Sequence, residues 1–192
     1  MGSPSTLMRA REIIKRPVVT LSGDDVAQIK DIVYAGDHGE IAGFTLAGRG
    51  LFAGPKKDAL LWTAVHALGR DAVMIVDEAA FTPRKELLDR SDARGGDVLA
   101  NRVLTDTGTD LGKVTDVIIE IGAKADVVGY EIDSADALGK NGRSVLIPLP
   151  DTISVSGEAL IVPATAADFV SEDLSGFGAA VDAFRSRLRG GQ

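Results

Sequence analysis

Two aspartates in the same repeated setting are the first residues that could do chemistry. Asp31 stands in "SGDDVAQIKDIVY" (22–34) and Asp116 in "TGTDLGKVTDVII" (107–119), each in the middle of a strand-like run. Paired carboxylates can work as acid and base when their surroundings push their pKa values apart. Counting by twos puts Val114, Asp116 and Ile118 on one strand face, and Ile29, Asp31 and Val33 on one face of the other strand. Each carboxylate is therefore expected among apolar neighbours unless a bulge re-aims it. A buried carboxylate is costly without donors. Because the same position recurs in two copies, Asp31 and Asp116 are read as structural carboxylates, each accepting backbone N–H groups of a nearby turn in its own copy.

Other chemical signals are sparser. There are no cysteines and two histidines, His38 in "AGDHGE" and His66 in "TAVHALG", so thiolate chemistry and disulfides are excluded. A zinc site would need both histidines with carboxylates, and no Ser/His/Asp set can be assembled around them. "GRGLFAGPKK" (48–57) has the wrong glycine spacing for a dinucleotide or P-loop motif, and "DTGTD" (106–110) lacks the later glutamate of a calcium loop. No cofactor, no metal and no catalytic residue are expected.

The composition, 45% apolar and 26% charged, is that of a folded globular chain. No run of about 20 apolar residues is present, and no signal peptide is read at the start, so a cytoplasmic location is expected. The net charge of −7 divides unevenly: residues 1–16 carry +3, residues 177–192 carry +2, and the body between them −12. A body that acidic repels phosphate backbones, which argues against nucleic acid as the main partner. The basic ends leave peripheral contact with anionic lipid open, a reading not favoured over solvated termini.

Laying residues 18–34 on residues 103–119 gives identities at Val18/Val103, Thr20/Thr105, Gly23/Gly108, Asp25/Asp110 and Asp31/Asp116. Further on, "IAGFTL" (41–46) meets "VVGYEI" (127–132), each with glycine third, and "DAVMIV" (71–76) meets "EALIVP" (158–163). The chain is thus two copies of one unit. The second reads as six short strands, "RVLT", "KVTDVIIE", "VVGYEI", "SVLIPL", "TISVS" and "ALIV", divided by turn signals. That pattern predicts an all-β fold of two tandem small antiparallel β-barrels. Gly43 and Gly129 suit a sharp coil or a close crossing by another part of the chain. Two helical additions are expected: a linker helix over 82–96 with Thr82 as N-cap and Pro83 in its first turn, and an amphipathic C-terminal helix within 166–189. Phe177, Val181, Phe184 and Leu188 share one face of the latter, which is expected to pack on the barrels or between protomers.

These residues resemble a known family. A Gly-containing turn, then "GKVTDV", a hairpin, "VVGY" and an apolar strand follow the PRC-barrel pattern, closely in the second copy. The first copy departs from it, with Ala27 for Gly112 and Gln28 for Lys113, so its first turn is expected to be built differently. The resemblance covers about residues 10–80 and 97–165. It implies the small barrel of the photosynthetic reaction-centre H subunit and of the C-terminal domain of ribosome maturation factors, which serves as a docking or assembly module. The expected function is therefore a non-enzymatic protein-interaction module, with a ribosome-associated or RNA-processing factor as the alternative. Where the copies differ most, Arg49, Leu51, Phe52, Lys56 and Lys57 are expected to bind a protein partner, or a second copy in a homodimer. The matching loop, "SADALGKNGR" (134–143), offers only Leu138.

Overall fold

A computed structural model describes residues 6–35, 39–50, 52–91, 98–139, 142–150, 154–156 and 159–191. In chain order its elements are β1 (Thr6–Arg9), α1 (Ala10–Ile13), β2 (Pro17–Thr20), β3 (Asp25–Ala35), β4 (Glu40–Ala47), β5 (Pro55–Leu61), β6 (Ala67–Leu68), β7 (Val73–Ile75), β8 (Phe81–Pro83) and α2 (Arg84–Arg90). The second half supplies β9 (Arg102–Thr105), β10 (Asp110–Ile121), β11 (Ala125–Ser134), β12 (Ser144–Pro148), β13 (Ser154–Ser156), β14 (Ala159–Val162) and α3 (Leu174–Gly190). The six strands read from the second copy are β9 to β14. His38, Leu51 and residues 92–96 of the expected linker helix lie outside the described residues.

The two halves repeat each other in detail. β2 pairs antiparallel with β3 and parallel with β7; β9 pairs antiparallel with β10 and parallel with β14. Both first turns close through a glycine at positive φ, Gly23 (97°) and Gly108 (87°), where a side chain would be strained. In both, a threonine hydroxyl, Thr20 or Thr105, accepts the backbone N–H four residues on. Lys15 and Ala100, also equivalent, share positive φ values of 68° and 67°. The expectation that the first copy's turn is built differently is corrected, because both turns close alike; the departure falls instead within the next strand, where Gly112 sits at φ 135° with no room for a Cβ beside the Asp133 carbonyl and Ala27 is an ordinary buried strand residue.

The expectation of two separate barrels is corrected. All fourteen strands belong to one hydrogen-bonded sheet, joined across the middle where Asp126 of β11 pairs with Glu40 of β4, and the sheet is not closed. The Val127 N–H donates to the Gly39 carbonyl at 3.0 Å, and Lys124 lies 3.6 Å from Glu40. One apolar core runs through both halves, from Ile29, Phe44 and Leu60 to Val114, Ile119 and Ile147. Two small units fused this way bury more apolar surface than either would alone, which offsets the poor surface-to-volume ratio of a domain of this size.

Each half carries its helix on the outside of the sheet. Thr82 is not the N-cap of α2: it pairs with Ala59 in β8, its hydroxyl donates to Glu86, and the helix starts at Arg84. α3 buries Phe177, Val181 and Phe184, as its spacing predicts, with Phe177 and Val181 packed on Ile118, Val128 and Leu146. The mid-strand glycines are where these helices press in. A Cβ on Gly43 would lie 3.0 Å from Leu87 Cδ1, and one on Gly129 would lie 2.7 Å from Phe177 Cε1 and 2.5 Å from the Ile147 carbonyl oxygen. Of the two reasons offered by the sequence, close crossing is the one observed. Among the described residues, no helix is long and apolar enough to cross a membrane.

Gly129→Ala should therefore lower the unfolding free energy by about 1–3 kcal/mol, the usual cost of overpacking. Gly176→Ala, in α3 with open space around it, should raise it by about 0.5–1 kcal/mol through helix propensity. Urea unfolding of both variants checks the pair; equal effects would show that the Gly129 contact is not a packing constraint.

Candidate functional site

The two aspartates do not have equivalent surroundings. Both strands carry a bulge just before the carboxylate: Val114 faces Ile132 and Asp116 faces Glu131, leaving Thr115 unpaired, and Lys30 is skipped in the same way between Ile29 and Asp31. The bulge breaks the counting by twos. Val114 and Ile29 point into the core, while Asp116 and Asp31 point outward, so the expectation that each carboxylate shares a face with the preceding apolar residue is corrected.

Asp31 is open to solvent, its side chain 57% exposed. It accepts the Thr45 hydroxyl at 2.9 Å, its own N–H donates back to that hydroxyl at 3.1 Å, and Lys30 lies 3.6 Å away. Among the described residues, no turn N–H donates to it. Asp116 is buried because the N-terminal arm, β1 and α1, lies over it: β1 pairs with the outer end of β10, Arg9 against Ile118 and Thr6 against Ile121. Its Oδ1 accepts the N–H groups of Val117 at 2.8 Å and Arg11 at 3.3 Å. The donors thus come from the strand itself and from the arm, rather than from a turn of its own copy.

Arg9, Arg11 and Glu131 complete this cluster, and none of the three stood out in the sequence. Arg9 Nε donates to Glu131 Oε2 at 2.5 Å, Arg11 Nη1 lies 3.0 Å from Glu131 Oε1, and Arg11 Nε lies 3.3 Å from Asp116 Oδ2. The available signal was two arginines two residues apart, Arg9 ending β1 and Arg11 in α1, together with Glu131 standing where the first copy has Thr45. Burial pushes Glu131 up, but the Arg9 hydrogen bond and the two guanidinium charges outweigh it and hold its pKa below the ordinary glutamate value. Burial dominates at Asp116, against the opposing N–H bonds and Arg11, and raises its pKa. Two carboxylates with pKa values pushed apart resemble an acid/base pair. Here, however, they are sealed under the arm, Asp116 and Glu131 only 4% and 5% exposed, and nothing reaches them unless the arm lifts.

The loop between β4 and β5 is differently built. It closes on itself through Gly48 N–H to the Gly54 carbonyl and Ala53 N–H to the Gly50 carbonyl, with Gly50 at φ 110°. Arg49 turns back to Asp25 at 2.7 Å; Lys56 donates to the Val26 carbonyl at 3.0 Å and sits 5.1 Å from the Phe81 ring centre. Both cations are therefore used to fix the loop, while Lys57 is exposed and Phe52 is 100% exposed at the tip. Leu138, in the matching loop, folds back against the core instead. His66 is exposed, its backbone N–H bonded to the Met74 carbonyl, and among the described residues no three His, Asp or Glu gather as metal ligands.

The model of the PRC-barrel domain matches residues 5–80 and again residues 92–169. The chain belongs to the PRC-barrel family. It is a tandem PRC-barrel protein, its two copies matching the repeat read from the sequence. No curated protein matches it. The first match begins at residue 5 and so includes β1, yet in space β1 extends the sheet of the second PRC-barrel copy.

The cluster makes a prediction about acid. A lowered folded pKa gives stability that is complete above the unfolded pKa and is lost as pH falls through the folded one. Glu131→Gln should therefore cost about 2 kcal/mol at pH 7, less than a fully buried pair because Arg11 is half exposed, and the deficit should shrink as pH drops below the ordinary glutamate range. Asp116→Asn should cost less, since the ionised form is already disfavoured there, and Asp31→Asn should stay within about 0.5 kcal/mol. Chemical denaturation at pH 7 and pH 3.5 checks the ranking. A larger loss for Asp116→Asn than for Glu131→Gln would contradict it.

Proposed function

We propose that this protein is a non-enzymatic assembly module that captures a protein partner through the loop over residues 48–57. One observation carries the reading: Phe52 is wholly exposed on a loop that its neighbours hold in place. Burying a phenylalanine is worth about 1.5–3 kcal/mol, so its full exposure leaves that free energy for a partner to recover. The Arg49 to Asp25 and Lys56 to Val26 contacts tie the chain down on either side of Phe52, which lowers the conformational entropy lost when the ring is buried. The loop is also a point where the copies differ, since Leu138 of the matching loop packs against the core. The partner would be a protein with an apolar pocket and an acidic rim to meet Lys57.

The test is site-specific photo-crosslinking in the native host. A photoreactive residue in place of Phe52 should give one discrete protein adduct that the same probe at Leu88, 44% exposed on α2, does not give. Phe52→Ser should abolish association while leaving the melting temperature unchanged. A melting temperature lowered by several degrees, or the same adducts from both probe positions, would overturn the reading.

A further inference from the structure

Three carboxylates stand in a row where the two copies meet. Glu120 of β10 faces Asp126 of β11, and Asp126 in turn faces Glu40 of β4 across the seam. Residues directly opposite on neighbouring strands share a face of the sheet, with Cβ atoms about 4.5–5.5 Å apart, and like charges in that relation oppose the pairing. The repeat brings equivalent acids together, since "EIAGF" (40–44) corresponds to "DVVGY" (126–130) and Glu40 is thus the counterpart of Asp126. The charges that bear on Asp126 come from every element around it: Glu40 from β4, Glu120 from β10, Lys124 from the turn between β10 and β11, and Arg185 from α3. Lys124 lies 3.6 Å from Glu40 but is 69% exposed, so solvent screens it. Asp126 itself is partly buried. Desolvation, and then Glu40, raise its pKa. Neutral hydrogen bonds cross the same seam. The Val127 N–H donates to the Gly39 carbonyl at 3.0 Å, and Trp62 Nε1 donates to the Ala123 carbonyl at 3.4 Å.

We propose that the seam between the copies is a proton-linked contact: a proton taken up by Asp126 tightens the pairing of β11 with β4, and its loss loosens it. The sign follows from the surroundings. With the seam closed, ionised Asp126 is disfavoured by burial and by an acid on either side; with the seam parted, water and distance relieve both. Closing therefore takes up a proton. The stabilisation this brings is complete below the ordinary aspartate value of about 3.9 and is lost as pH rises through the raised one. Glu131, whose pKa is lowered, responds with the opposite sign, so its titration is separable from that of the seam.

The chain has one tryptophan, and it sits at this contact, so its fluorescence reports on the seam. Titration of the full chain from about pH 3.5 to 8 should show a change in Trp62 emission with its midpoint above the ordinary aspartate value. Asp126→Asn, which mimics the protonated form, should remove the change and hold the emission at its acid-side value. Glu40→Gln should lower the midpoint by about half a pH unit, the effect of one charge roughly 5 Å away in water. Amide exchange of Val127 followed by NMR, corrected for its intrinsic pH dependence, should lose protection through the same midpoint in the parent and not in Asp126→Asn. An emission change that survives in Asp126→Asn belongs to another group, such as the exposed His66, and would overturn the proposal. So would a midpoint that Glu40→Gln leaves in place. If the emission is flat, Val127 decides: protection that falls in the parent and not in Asp126→Asn supports the linkage, and protection independent of pH in both overturns it.

Discussion

Arg9 and Arg11 reach from the start of one PRC-barrel copy to two carboxylates buried on the outside of the other, and the asymmetry of the molecule follows from that contact. The arm adds a strand to β10 and covers Asp116 and Glu131. Without the guanidinium groups, Glu131 would be an unpaired charge out of water, which is strongly destabilising. Without Glu131, Arg9 would have little reason to leave solvent. The equivalent position in the first copy is Thr45, whose hydroxyl is satisfied by Asp31 alone, so the same outer face there holds no second acid to attract an arm.

The sequence carried the architecture better than the chemistry. Repetition of turn glycines, strand spacing and the helical face of Phe177, Val181 and Phe184 is local information, and each element it predicted is present. Two things were not local. One is the bulge before Asp31 and Asp116, a single unpaired residue that turns the carboxylate from the inside of the sheet to the outside while leaving the strand pattern unchanged. The other is which segment covers which face: β1 belongs to the first copy by order along the chain and to the second by pairing. Thr82 shows the same limit at smaller scale, since a good cap residue was claimed first by pairing in β8.

The fused sheet follows from size. Each copy has too few residues to enclose a large core, and the pairing of Asp126 with Glu40 lets apolar residues of both copies share one. Burial and the neighbouring Glu40 raise the pKa of Asp126, so this junction holds a carboxylate against its preference. The sharing of the core is evidently worth more. The loop between β4 and β5 uses Arg49 and Lys56 to tie its two sides down and leaves Phe52 in water.

The arm is the element on which the account turns, and amide hydrogen exchange followed by mass spectrometry on the unmodified protein reports on it directly. The account predicts that a peptide covering residues 6–13 exchanges as slowly as one covering Ile118–Ile121 of β10, because the two protect each other and open together. A peptide 6–13 that exchanges within seconds, as a frayed terminus does, while Ile118–Ile121 stays protected, would contradict it.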